Sequence, residues 1–210
     1  MRKLGKILSI FAILTITVLL AACGKDRAES AVEPLFRHGT WTDDTYTSEF
    51  LGFQASFGSE WDVTPDAELA RTQAAADLSD DNVRAVIDRT GTFTELSAAS
   101  RNGTIITITA ENNTVSGCAD EFAFFTSGLE DIRQEIAADG FQVGSVFESH
   151  TTFLGENVRC AGVIMTVPEY DRAVYQIRIP IFKGDCTAVV TFTALNEADL
   201  EGLVGMFSAA

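Results

Sequence analysis

Between residues 141 and 194 the chain runs through four strand-length segments, at 141–150, 157–166, 172–182 and 185–194. Gly155, Pro168 to Asp171 and Lys183-Gly184 form the corners between them. Corners this short cannot carry a crossover helix, so successive strands must run antiparallel. A second pair lies upstream at 93–99 and 104–111. It includes the strand-prone run Ile105-Ile106-Thr107-Ile108-Thr109, and Asn102-Gly103 supplies the positive backbone angles that tight hairpin turns demand. Two shorter strands, 45–49 and 53–57, meet at Leu51-Gly52.

Helices fill the gaps. Thr64-Pro65-Asp66-Ala67-Glu68 combines a hydroxyl cap, a proline where no amide hydrogen is needed, and first-turn acids, which predicts a helix over 65–76. A second begins behind Asp80, turns Val83, Val86 and Ile87 inward and stops at Gly91. The longest is predicted over 118–139, with Phe122, Phe125, Leu129, Ile132 and Ile136 on one stripe and Phe124 off it. Asn196 caps a closing helix in which Leu200, Leu203, Val204 and Phe207 share a face. The order β-β-α-α-β-β-α-β-β-β-β-α has no parallel strand-helix-strand alternation. The expected class is α+β: a mainly antiparallel sheet with helices packed on it.

The corners set a register. Lys183-Gly184 as a two-residue turn places Cys186 opposite Ile181, and a hairpin closed by Pro168 to Asp171 places Val167 opposite Arg172 and Cys160 opposite Ile179. Opposed residues share a face. Val158, Cys160, Ile164, Tyr175, Ile177, Ile179, Ile181, Cys186, Ala188, Val190 and Phe192 then make the core side, with the long helix as its cover. The reverse side carries Arg159, Gln176, Arg178 and Thr191, donors that make it the candidate binding surface. Cys160 and Cys186 flank a middle strand, roughly 9–10 Å apart, beyond the ~7 Å limit for a disulfide, so they are not expected to bond to each other. Three buried free thiols are the expectation; the alternative is that Cys118, at the start of the long helix over the same face, reaches Cys160 or Cys186.

The first 22 residues form an export signal: Arg2, Lys3 and Lys6 as a basic head, an apolar run over 7–20, and Leu20-Ala21-Ala22-Cys23. The run is shorter than the roughly 20 residues of a membrane span. This segment resembles the bacterial lipobox. The resemblance implies that Cys23 is acylated, that the peptide before it is removed, and that the protein is lipid-anchored at the extracytoplasmic face of the cell membrane. Gly24 is not the aspartate that resembles an inner-membrane retention signal, so inner and outer membranes both stay open. Residues 23–40 lack hydrophobic periodicity and read as a tether, and 41–210 as one domain. The chain carries a formal charge of −15, and loss of the leader leaves twelve basic against thirty acidic residues. Such a body is repelled by nucleic acid and by anionic headgroups. The expected partners are the membrane, through the lipid, and another envelope protein or a small ligand.

No Gly-x-Ser-x-Gly elbow, His-Glu-x-x-His, phosphate-cradling glycine loop or dinucleotide fingerprint occurs. No Cys-x-x-Cys occurs either, so no catalytic residue, metal site or cofactor is expected. His38 falls in the tether and His150 at a strand end. A hydrolase assembled from distant residues would require His150 to converge with Cys160 or a carboxylate. Asp77-Leu78-Ser79-Asp80-Asp81-Asn82 alternates oxygen ligands but lacks the turn glycine and closing glutamate of a calcium loop.

Tyr46 to Phe53 (YTSEFLGF), Phe57 to Trp61 (FGSEW), the capped helix, the isoleucine-rich hairpin, the long helix ending in glycine and the meander through Lys183-Gly184-Asp185 resemble bacterial lipoproteins with a PsbP-like fold. That fold is an antiparallel sheet between helices, shared with the extrinsic photosystem II subunit and a Ran-binding nuclear import factor. The resemblance implies a single mainly antiparallel sheet packed between helices, an α/β/α sandwich, and a non-catalytic binding or assembly module.

Overall fold

The computed structural model describes residues 36–169 and 172–210. The signal peptide, Cys23 and most of the expected tether lie outside the described residues, as do Tyr170 and Asp171 of one corner. In chain order the strands are β1 (Thr40–Thr42), β2 (Thr45–Ser48), β3 (Phe53–Ser56), β4 (Trp61–Val63), β5 (Thr92–Ser100), β6 (Ile105–Asn112), β7 (Gln142–Phe153), β8 (Glu156–Val167), β9 (Arg172–Lys183), β10 (Cys186–Ala194) and β11 (Phe207–Ala209). The helices are α1 (Asp66–Thr72), α2 (Asp80–Thr90), α3 (Asn113–Ser116), α4 (Glu121–Ala123), α5 (Leu129–Ala138) and α6 (Glu197–Val204). None of those described is long and apolar enough to cross a membrane.

The fold is α+β, as expected, but the strands form two antiparallel sheets rather than one. Four short strands pair in the order β1-β2-β3-β11, and seven pair as β4-β5-β6-β10-β9-β8-β7. The small sheet does not extend the large one because Tyr46, Phe53 and Ala55 are buried against it, in one cluster with Ile106, Val190 and Phe192. Phe207 belongs to this sheet and not to the closing helix. The helix ends at Gly205, and the last residues return as β11 beside β3. Phe207 there meets Phe53, Phe192 and Phe153 at 5.2, 5.3 and 5.7 Å between ring centroids. Each such ring contributes about 1.5–3 kcal/mol by burial alone.

The predicted register holds between β8 and β9, where Val167 faces Arg172. Between β9 and β10 it is displaced by two residues: Cys186 faces Lys183, and Ile181 faces Ala188. A displacement of two leaves every side chain on its predicted face. The assignment of cover to face is reversed, however. The small sheet, α2 and α6 cover the side carrying Cys160, Ile179, Ala188 and Phe192. The long helix covers the other side, packing on Ala161, Val163, Met165, Val174 and Val189. Cys118 lies on that helical side, where its carbonyl accepts a hydrogen bond from Thr187 at 2.8 Å. It is thus separated by the sheet from Cys160 and Cys186. All three thiols are buried and free, as expected, and Cys118 makes neither of the alternative pairings.

The long helix is also broken where one continuous stripe was predicted. Between α4 and α5, residues Phe124–Gly128 form a π-helical turn. Its extra residue moves everything upstream one position around the axis. Phe124 therefore takes the core position and Phe122, expected on the stripe, is 75% exposed.

Two turns are built differently from the expectation. At the β5–β6 hairpin only Gly103 has a positive φ (89°), and Asn102 uses its side-chain oxygen to accept from the Thr104 amide at 3.1 Å. At α1 the cap position is Pro65, with no side-chain cap from Thr64. Packing also begins earlier than Trp41: Phe36, 1% exposed, joins Val83, Val86, Ile87 and Phe93 in a separate cluster.

Candidate functional site

The site begins at an irregularity in β5. The pairing with β6 shifts between Thr94 and Leu96, a bulge whose extra residue is Glu95. Bulges re-aim side chains, and this one leaves Glu95 fully buried. Gln73, at the end of α1, secures the distorted backbone: its Oε1 accepts from the Thr94 amide at 2.5 Å and its Nε2 donates to the Thr94 carbonyl at 3.0 Å.

Three groups close over Glu95. The Tyr46 hydroxyl and the Gly39 amide both donate to its Oε1, at 2.5 and 3.2 Å. His38 Nδ1 stands 3.9 Å from Oε2. Glu95 Oε2 and both His38 nitrogens are buried without a hydrogen-bond partner. Burial first, and then the Glu95 charge, push the Tyr46 hydroxyl far above the usual phenol range, so it stays protonated and donates. On its other side His38, whose side chain is only 6% exposed, has Nε2 3.8 Å from Asp66 Oδ1.

Asp66 opens onto a pocket of about 420 Å³. Trp41, Phe57 and Trp61 form its aromatic wall; Trp41 and Phe57 lie 5.7 Å apart with their planes tilted by 55°, and Phe57 and Trp61 meet edge to face at 5.5 Å. Trp41 also packs on Tyr46 at 5.1 Å, joining the pocket to the buried cluster. The β1–β2 turn brings Asp43 and Asp44 to the rim, and α1 brings Thr64, Pro65 and Asp66. A hydrogen bond from the Phe57 amide to the Asp44 carbonyl, 2.8 Å, ties the two walls. These residues come from β1, two turns, β4 and a helix start, so the sequence reading had no reason to group them.

The residues singled out from the sequence lie elsewhere. Gln176 and Arg178 are 6% and 8% exposed beneath α5. Arg178 donates to Glu135 at 2.8 Å and to Gln176 at 3.2 Å, and Gln176 donates to Thr193 at 3.1 Å. Thr191 is half-buried on the same face. Arg159 donates twice to Glu148, at 2.9 Å each, reaches Glu121 at 3.4 Å and stacks 4.2 Å over the Phe125 ring. Arg178 thus seats α5 on the sheet, Arg159 is held by β7 and reaches α4 through Glu121, and Gln176 is bonded within the sheet.

Beside Arg178 lies Glu111, whose carboxyl is pushed up to about 7 by burial and by Glu135, with Arg178 opposing. The folded chain therefore keeps a proton that the unfolded chain loses near 4.5, and stability falls as pH rises through that window. Glu111→Gln should leave stability unchanged relative to wild type at pH 4.5 and raise it by about 2 kcal/mol at pH 8. Urea unfolding of both chains at the two pH values checks this.

His150 is exposed on the edge strand β7, opposite Arg159. Its neighbour Ser149 faces Cys160, so the His150 and Cys160 side chains point to opposite sides of the sheet. Burial pushes the Cys118 and Cys160 thiols up to about 11 and Cys186 to about 12, which keeps them protonated at neutral pH. His150 therefore does not converge with Cys160; the carboxylate it interacts with is Glu148, which accepts both hydrogen bonds from Arg159 on the exposed part of β7.

Neither the family models nor the curated proteins compared with this sequence give a match. The reading of the site therefore rests on its own chemistry. An aromatic wall beside dispersed carboxylates can hold an apolar ligand and discriminate its charge; the Tyr46–Glu95–Gly39 cluster behind it is suited to keeping Trp41 in place.

Proposed function

We propose that the protein is a lipid-anchored, extracytoplasmic binding module, held to the membrane through an acylated Cys23, that takes a small ligand between Trp41, Phe57 and Trp61. The observation that carries the binding reading is the open aromatic pocket itself, of small-molecule volume and braced from behind by a buried hydrogen-bonded cluster. The anchoring is supported by the basic head, apolar run and Leu-Ala-Ala-Cys of the leader. A PsbP-like assignment is supported by a seven-stranded antiparallel sheet with the long helix on one face and α2 and α6 on the other.

Two measurements test this. Intact-mass analysis of the native material should find a chain that begins at an acylated Cys23; a retained leader or a free amino end there would remove the anchor. Thermal unfolding of the full chain in detergent, run against a panel of anionic, neutral and cationic small molecules, should reveal at least one saturable stabilisation that Trp61→Ala abolishes. A panel with no stabilising member would remove the binding site.

A further inference from the structure

We infer that the ligand of this pocket is a small alkylated ammonium ion, an inference that rests on the reading of the pocket as the binding site. The face of an aromatic ring carries partial negative charge and attracts a cation; Trp41 and Trp61, both half-buried, are the rings exposed enough to meet one, with the buried Phe57 packed between them. Asp43, Asp44 and Asp66 add three carboxylates around the same volume.

Among the described residues no lysine or arginine ion pair reaches any of the three. Behind Asp66 stands His38, whose nearly buried ring has no hydrogen-bond partner. That ring lies 3.8 Å from Asp66 Oδ1, so Asp43 and Asp44 are the acids of the pocket without a basic ion-pair partner among the described residues. The net charge of −15 over the whole chain adds a field of the same sign, which concentrates cations.

The choice of an organic cation over a metal ion follows from how the acids are spread. Among the described residues no three His, Cys, Asp or Glu side chains gather closely enough to hold a metal. A volume of about 420 Å³ with aromatic walls also suits a ligand with an apolar body. Dispersed charge over rings is the arrangement that recognises methylated ammonium groups, which are too weakly hydrated to need direct oxygen ligands.

The chain has two tryptophans, and both line this pocket, so tryptophan emission reports on it directly. The full chain in detergent micelles is titrated, at constant ionic strength, with choline chloride and with 3,3-dimethylbutan-1-ol, the uncharged analogue with carbon in place of nitrogen. A saturable emission change is expected with choline, at an affinity at least tenfold tighter than with the alcohol. In an Asp43→Asn, Asp66→Asn chain with unchanged circular dichroism, choline binding should weaken at least fivefold.

Equal affinity for choline and the alcohol overturns the assignment of a cation while leaving a ligand site in place. Wild-type choline affinity in the double variant overturns it as well. An emission unmoved by choline also overturns it, and the panel of neutral and anionic compounds then decides separately whether the pocket binds anything.

Discussion

Arg178→Ala is expected to lower the stability of the folded chain by about 3–5 kcal/mol at neutral pH. The guanidinium lies beneath α5 at 8% exposure, bonded to Glu135 and Gln176, and it is the positive charge that opposes the raised carboxyls of Glu111 and Asp139. Its loss leaves Glu111 and Glu135, both partly buried, facing one another without a cation, which is the costly way to break such a pair. The cost should shrink in acid. Glu111 and Asp139 both have raised pKa values, so they take up protons on acidification before unperturbed carboxylates do and relieve the repulsion. Denaturant titrations at pH 5 and pH 8 check both parts. In a cycle with Glu135→Leu, the Arg178→Met, Glu135→Leu chain should recover most of the loss, because an apolar pair leaves neither charge stranded. A loss below about 1 kcal/mol, the scale of an exposed ion pair, would mean that water reaches the guanidinium.

Gly39→Ala is the second large effect expected. A β-carbon there would sit 2.5 Å from Tyr46 Cζ and 2.6 Å from the Thr47 carbonyl oxygen. Tyr46 is fully buried and cannot swing aside. Overpacking of this kind costs about 1–3 kcal/mol, and displacement of the hydroxyl from Glu95 adds a share of the ~1.5–3 kcal/mol carried by a hydrogen bond to a charged group. Tyr46→Phe isolates the second contribution, since Glu95 keeps the Gly39 amide and loses the phenol. The two substitutions should be markedly less than additive, because the first already breaks the bond that the second deletes. Trp41 packs on Tyr46, so Gly39→Ala should also shift tryptophan emission to the red, whereas Tyr46→Phe should barely move it. An emission unmoved by Gly39→Ala would show that Tyr46 does not hold Trp41 in place.

Much of the sheet was legible. The hydrophobic alternation of β8, β9 and β10 assigned side chains to faces correctly even where the β9–β10 turn was placed one residue early, because a register displaced by two preserves the pleat. The α2 stripe of Val83, Val86 and Ile87 and the Asn196 cap of α6 also stand as expected. The long helix was legible only from Leu129 onward. A π-helical turn has no periodicity of its own to announce it, so a stripe counted at 3.6 residues carried Phe122 inward and Phe124 outward, the reverse of what is found. His38 was misplaced for a related reason: a polar residue in an aperiodic stretch reads as tether, and its burial depends on Glu95, Phe93 and Tyr46 closing around it.

Which residues point together along one strand is decided by backbone geometry over two or three bonds, and the amino-acid sequence by itself determined that much, together with the antiparallel α+β class. Which layer lies on which face was decided only by the tertiary structure. There the long helix, with Glu135 among its acids, lies over the sheet face that carries Arg178, and the fully apolar face is left to the small sheet, α2 and α6. The pocket is likewise a tertiary product: Trp41, Phe57, Trp61 and Asp66 belong to separate elements and become neighbours only when two sheets and a helix start pack together.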